Sequence, residues 1–142
     1  MRKGYWNFIL VIFGVLGRVC LANDMLVLDP RDAFRLSGGL KSPETVALIF
    51  NIKERHYLYK SKFKIIPMPE SIQIGDPIYP ASETHTDEFF GETEIFRNKA
   101  TILVPLINES IQQFRIKVTA QGCSDDGFCY LPFDQIVNIY GF

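Results

Sequence analysis

Basic charge is not in excess: 15 Lys and Arg face 16 Asp and Glu, so the electrostatic footprint of a nucleic-acid-binding protein is missing. Histidine is scarce, with only His56 and His85, and no recognised metal-ligand spacing joins them to the cysteines. Tryptophan occurs once, as Trp6, which removes the Cys…Trp…Cys pattern of antibody domains. No window of helical length carries a sustained 3.6-residue apolar period, which argues against a helical protein. Repeats and low-complexity tracts are also missing.

Long apolar runs are limited to the N-terminus, where Arg2 and Lys3 precede an apolar stretch from Phe8 to Leu16 and then Cys20-Leu21-Ala22. A basic start, a short apolar centre and small residues at the −3 and −1 positions predict a secretory signal peptide over residues 1–22, cleaved after Ala22. The run falls short of the roughly 20 residues that span a bilayer; an uncleaved anchor is the rival reading. Val19 before Cys20 argues against lipid attachment. Removal of the signal leaves residues 23–142 as one domain, long enough for a hydrophobic core, with 12 basic and 16 acidic residues.

Export would leave two cysteines, Cys123 and Cys129, in an oxidising compartment where a disulfide persists. They sit in Gln-Gly-Cys-Ser-Asp-Asp-Gly-Phe-Cys-Tyr-Leu-Pro at 121–132, after the alternating segment Phe114 to Gln121. A strand, a Gly-containing five-residue gap and a cysteine on each side spell a β-hairpin. Residues opposed across antiparallel strands lie about 4.5–5.5 Å apart at Cα, within the range a disulfide spans. The pair can therefore close. So short a ring restricts the unfolded chain by only about 2.4 kcal/mol, against about 4.7 for a hundred-residue loop, and makes a poor staple.

Strand candidates recur between Pro, Gly and Asn/Asp punctuation: Met25 to Leu28; Ala33 to Leu36, ended by Ser37-Gly38-Gly39; Val46 to Ile52; Tyr57 to Ile65; Thr101 to Ile107; Phe114 to Gln121; and Gln135 to Tyr140. Val46, Leu48, Phe50 and Ile52 share one face, as do Phe114, Ile116, Val118 and Ala120. Lys60, Lys62 and Lys64 would form a solvated row, or a surface steering an acidic partner. Four prolines between Ile66 and Pro80 predict loop and short edge strand. Ala81 to Asn98 reads as a polar, acidic loop around Phe89-Phe90. Seven or more short strands in about 120 residues predict a mostly β protein, two antiparallel sheets packed as an immunoglobulin-like β-sandwich.

Residues 121–132, together with Tyr57-Leu58-Tyr59-Lys60 and with His85-Thr86-Asp87-Glu88-Phe89-Phe90-Gly91 followed by Glu94-Ile95-Phe96-Arg97, resemble the N-terminal periplasmic domain of the thiol:disulfide interchange protein DsbD. The resemblance covers nearly all of residues 23–142. It implies an immunoglobulin-like fold whose cysteine pair takes electrons from a thioredoxin-like donor domain or membrane electron transporter. Acceptors would be periplasmic thioredoxin-fold proteins, namely a disulfide isomerase and a reductant of cytochrome c maturation. No cofactor is implied. By motif position, Cys129 would form the intermolecular disulfide and Cys123 would resolve it. Asp87, Glu88, Phe89, Phe90 and Gly91 would form a cap loop over the sulfurs, and Tyr57 and Tyr59 would flank them. Full-length relatives continue into a multi-helix membrane domain and a thioredoxin-like domain. A sequence ending at Phe142 is thus expected to be a stand-alone version with separate partners or a truncated product.

Two other readings stay open on the residues. An immunoglobulin-like interaction module would hold the bridge as an inert structural element. A copper or zinc module would use His56, His85, Met68, the cysteines and the acidic loop as ligands.

Overall fold

The computed structural model describes residues 27–107 and 113–141. The expected signal peptide and the start of the Met25–Leu28 strand lie outside these residues; Val27 and Leu28 belong to no strand. The described chain opens with a single helical turn, α1 (Pro30–Ala33), whose first turn is held by Asp29 Oδ1 accepting from the Arg31 amide at 2.8 Å. Proline at the first helical position supplies the right φ and lacks only an N–H that would go unpaired.

Ten strands follow: β1 (Phe34–Ser42), β2 (Thr45–Ile52), β3 (His56–Tyr59), β4 (Lys64–Met68), β5 (Glu83–Asp87), β6 (Gly91–Phe96), β7 (Lys99–Pro105), β8 (Gln113–Ala120), β9 (Gly122–Ser124) and β10 (Phe133–Tyr140). They pair antiparallel in three sheets, ordered β1-β2-β7, β10-β8-β4 and β5-β6-β3-β9. The first two form the sandwich. Val46, Leu48, Phe50 and Ile52 of β2 and Phe114, Ile116, Val118 and Ala120 of β8 are buried in one core with Ile102 and Val104 of β7 and Ile139 of β10. Period-two alternation puts every second side chain on the inner face. The sandwich is joined at one edge by Gln135, whose amide donates to Phe34 O at 2.6 Å and whose carbonyl accepts from the Leu36 amide at 3.3 Å.

The third sheet is the departure from the expected two-sheet arrangement, and it carries the cysteines. Its β3 strand pairs with β6 on one side and β9 on the other. Leu58 and Phe96 point into the main core, while Tyr57, Tyr59, Ile95 and Cys123 form a second buried cluster, with Cys129 packed against it. One short strand thus serves the core with one face and the site with the other.

Three further expectations are corrected. Gly38 and Gly39 do not end β1, which continues to Ser42 with Gly38 opposite Leu48 and Gly39 opposite Ala47. Tyr57 to Ile65 is not one strand: a 3-10 turn at Lys60–Lys62 separates β3 from β4, so the three lysines form no row. Lys60 instead meets Glu94 at 3.1 Å. The segment from Ala81 to Asn98 is mostly a hairpin, β5 and β6, with Glu88, Phe89 and Phe90 at its tip. Gly91 closes that turn at φ +68°, a left-handed conformation that side-chain-bearing residues adopt only at a cost. The proline-rich stretch has the expected character: β4 is an edge strand, and single bridges tie Ile74 to Leu106 and Ile78 to Leu103.

Candidate functional site

The strand register builds the site. Tyr57 of β3 lies directly opposite Cys123 of β9, and Leu58 opposite Gly122. Opposed residues share a face, so the Tyr57 and Tyr59 rings stand beside the sulfur, perpendicular to each other with centroids 5.4 Å apart. Cys123 and Cys129 face each other as an isolated antiparallel bridge and are disulfide-bonded, with Cα atoms 4.0 Å apart. Burial is unequal. Cys123 is fully buried, while Cys129 remains partly exposed.

The loop between them is held by its own backbone: the Ser124 amide donates to Phe128 O at 2.7 Å, Gly127 to Ser124 O at 3.1 Å and Tyr130 to Gly122 O at 2.9 Å.

A polar chain leads from the sulfur to the hairpin tip. The Tyr59 hydroxyl lies 3.0 Å from Cys123 Sγ and 3.9 Å from Cys129 Sγ, and it donates to Asp87 Oδ2 at 2.5 Å. Tyr57 donates to the same oxygen at 3.0 Å. The other oxygen, Oδ1, accepts from the Phe89 and Phe90 amides at 2.9 and 2.8 Å. Burial pushes the Asp87 carboxyl up, but donors from Tyr59, Phe90, Tyr57 and Phe89 outweigh it and leave the group below the ordinary carboxylate value. Burial and then the bond to Asp87 push the Tyr59 phenol up well beyond its usual range, so Tyr59 stays protonated at neutral pH.

Asp87 therefore fastens the hairpin tip to the tyrosines. Its lowered pKa makes a contribution to stability that is fully present above the ordinary carboxylate value of about 3.9 and is lost as pH falls through the lower native value. Hydrogen exchange at the Phe89 and Phe90 amides should thus accelerate relative to core amides as acid protonates Asp87. Asp87→Asn presents an amide nitrogen to one pair of donors and should cost about 1–3 kcal/mol at neutral pH; unchanged stability in that variant would remove Asp87 from this role.

At the tip, Phe89 and Phe90 are 48% and 42% exposed, so neither is a core residue. The Phe90 ring meets Tyr59 edge-on at 4.8 Å and lies under Lys62 Nζ, 4.4 Å from the ring centroid. Phe89 and Glu88 line a cleft of about 250 Å³ with Tyr57, His85, Asp87 and the cysteine-loop residues Ser124, Asp125 and Gly127. His85 packs on Tyr57 at 4.6 Å, whereas His56 sits against Phe34 and Tyr130. The histidines are not brought together as a ligand set. Among the described residues, no group of three or more His, Cys, Asp or Glu is placed to hold a metal.

Sequence reasoning assigned no role to the residues flanking the cysteine loop. Arg97 forms a two-pronged bond to Asp125, Nη1 to Oδ2 at 3.1 Å and Nη2 to Oδ1 at 3.0 Å, while its Nε donates to Glu83 at 2.9 Å. Its guanidinium also lies over the Tyr57 ring at 5.0 Å. Arg55 pairs with Asp126 on the other side of the loop. The Asp125-Asp126 pair between the cysteines was the available signal, but its distant partners could not be read from spacing.

An immunoglobulin-like sandwich with a side sheet that holds a disulfide hairpin against two tyrosines and a phenylalanine-tipped hairpin defines a narrow class of protein. The family model described as "Thiol:disulfide interchange protein DsbD, N-terminal" matches residues 24–140, and the chain belongs to that family. It is 36% identical over 109 residues to thiol:disulfide interchange protein DsbD 1 of Pseudomonas aeruginosa, covering 77% of this chain and 18% of that protein. With DsbD of Shigella boydii it shares 41% identity over 90 residues, 63% of this chain and 15% of the relative. The chain thus spans less than a fifth of the length of these relatives. The solved DsbD N-terminal domain of Neisseria meningitidis, in reduced form, superposes with a TM-score of 0.74 at 28% identity, covering 81% of this chain and 90% of that one. A complex of the N. meningitidis DsbD and PilB N-terminal domains gives 0.68, also at 28% identity, covering 85% and 91%.

Proposed function

We propose that this chain is a thiol–disulfide exchange domain of the periplasm, exported by a cleaved signal at residues 1–22 and working through residues 23–142. It takes electrons from a thioredoxin-like donor domain or membrane transporter and passes them to periplasmic thioredoxin-fold acceptors such as a disulfide isomerase or a cytochrome c maturation reductant. The supporting observation is the unequal burial of the sulfurs: partly exposed Cys129 is open to attack, and fully buried Cys123 is positioned to leave and return. The N. meningitidis complex is a DsbD N-terminal domain with a protein bound to it, which agrees with a docking role.

In the reductive half, a donor thiolate attacks Cys129 Sγ, the bridge breaks, and Cys123 leaves as a thiolate that takes up a proton. The donor's second thiolate attacks its own sulfur in the mixed disulfide and releases Cys129. Two electrons and two protons have then passed from donor to domain. In the oxidative half, the Cys129 thiolate attacks an acceptor disulfide, and Cys123 closes back onto Cys129, freeing the reduced acceptor.

The Tyr59 hydroxyl, 3.0 Å from Cys123 Sγ and donating its own proton to Asp87, accepts a hydrogen bond from the Cys123 thiol once the leaving sulfur has taken up its proton. The Asp87 charge behind it repels negative charge developing on that sulfur. Phe89 and Phe90 at the cap tip, about half exposed, shield the pair between encounters and yield to a docking surface, since the edge-on contact of Phe90 with Tyr59 is weak, at about 0.5–1.5 kcal/mol. Glu88 lines the entrance, Gly91 permits the turn, and Tyr57 walls the site.

Mixing the oxidised domain with a reduced thioredoxin-fold protein tests the proposal. The expected result is reduced Cys123 and Cys129 with stoichiometric oxidation of the partner. A bridge that survives a large excess of that partner would leave only an interaction module with a structural disulfide.

A further inference from the structure

The loop from Ser124 to Phe128 carries two carboxylates, and each is held by an arginine from outside the hairpin: Asp125 by Arg97 of the region after β6, Asp126 by Arg55 of the turn before β3. The Asp125 amide also donates to Arg55 O at 2.8 Å. We propose that Arg97 and Arg55 are positioning residues that clamp the loop between the cysteines from both sides, and so set how readily the Cys123–Cys129 bond is reduced. The inference rests on the exchange reading above and adds a determinant of its equilibrium.

When the bond breaks, the sulfurs can no longer sit at bonding distance, and the two arms tend to part. Any contact that keeps the arms in their bonded geometry raises the effective concentration of one thiol at the other, and with it the constant for re-forming the bond. The hairpin's own backbone bonds do part of this. The arginines anchor the loop to other strands. Arg97 suits the task because its guanidinium is already fixed by Glu83 and by the Tyr57 ring before it meets Asp125. A pre-oriented planar fork loses little freedom in forming paired bonds. Its side chain is only 25% exposed, so solvent screens this pair less than an ordinary surface pair. Burial lowers the Arg97 pKa, while Asp125 and Glu83 more than compensate, so the charge is retained. The Arg55–Asp126 pair is more exposed and is the weaker arm.

Reduction by dithiothreitol reads the effect directly: the Cys123–Cys129 bond breaks, dithiothreitol closes to its cyclic disulfide, and its two electrons and two protons pass to the cysteines. In the full chain, the bond-forming equilibrium constant against dithiothreitol should fall roughly three- to tenfold in Asp125→Asn and in Arg97→Met, the scale of one well-made charged pair. The double variant should show no further fall, because both changes remove one contact. At constant pH, raising the salt from about 0.1 to about 1 M should lower the wild-type constant and change that of Asp125→Asn less, since screening weakens the clamp. A merely structural role for Asp125 would leave the salt response the same. Arg97→Met also loses contacts to Glu83 and Tyr57; if it fails to fold, Asp125→Asn, a near-isosteric change on the loop, decides the matter. A wild-type bridge that exchanges while both variants keep its constant, or hold the bond more tightly, overturns the clamp alone. A wild-type bridge that no dithiol opens overturns the exchange reading and the clamp with it.

Discussion

Cys123→Ala should turn the protein into a trap. Its Cys129 thiolate can attack an acceptor disulfide, but no second sulfur remains to resolve the product, so the mixed disulfide should accumulate to near stoichiometry on a non-reducing gel. Cys129→Ala should behave differently, although it also keeps one thiol. Its remaining Cys123 is fully buried between Tyr57, Tyr59 and Ile95, where access is poor. Exchange with protein disulfides should be slower by about ten- to a hundredfold. Equal trapping by both variants would contradict the assignment of Cys129 as the sulfur that meets partners.

Gly122→Ala should be the most damaging substitution outside the cysteines. A Cβ there would lie 2.2 Å from the Tyr57 carbonyl oxygen, 2.8 Å from Phe34 Cζ and 3.0 Å from Leu58 Cδ2. The oxygen belongs to the β3 backbone and cannot rotate aside, so β9 must move away from β3. That movement strains the ladder holding Tyr57 opposite Cys123. Overpacking of this kind costs about 1–3 kcal/mol, occasionally more, and lost ladder bonds add about 1 kcal/mol each. A destabilisation near 3 kcal/mol would lower Tm by about 15 °C in a domain of this size. Gly39→Ala is the control. A Cβ at Gly39 meets nothing within 4 Å, and β1 should accept it with little change. Equal melting temperatures for the two variants would show that the close approach at Gly122 is not a constraint.

The regular sandwich was legible because its core strands alternate without interruption. Val46, Leu48, Phe50 and Ile52 and then Phe114, Ile116, Val118 and Ala120 each declare a buried face. Gly38 and Gly39 misled because glycine usually punctuates strands; here Gly38 lets β1 lie close to its neighbours, since a Cβ would come within 3.1 Å of Leu48 and Val137. The β5–β6 hairpin read as a loop because Glu83, Thr84, Thr86, Glu92 and Glu94 are all exposed, and its fully buried residues, Ile95 and Phe96, are adjacent and leave no apolar period to detect. The lysine row failed for the opposite reason. Lysines 60, 62 and 64 do alternate, but the chain turns at Lys60–Lys62, sending Lys62 to Phe90.

At the site, motif order pointed to the cysteines, tyrosines and cap residues. The geometry joins Tyr57, Tyr59, Asp87 and Cys123 by direct contacts. The arginines escaped because a charge pair 28 or 71 residues apart leaves no periodic trace. Many carboxylates were available to each arginine, and only the folded register selects Asp125 and Asp126.

Equilibration of the full chain against a graded dithiothreitol or glutathione redox series, read by counting free thiols, decides whether the Cys123–Cys129 bridge exchanges or is fixed. A bridge that trades electrons with thioredoxin-fold partners should be half reduced at a potential between about −180 and −270 mV, the range of their own cysteine pairs. A midpoint below about −300 mV, where structural disulfides lie, would contradict the exchange function and leave the hairpin as a fixed part of the sandwich.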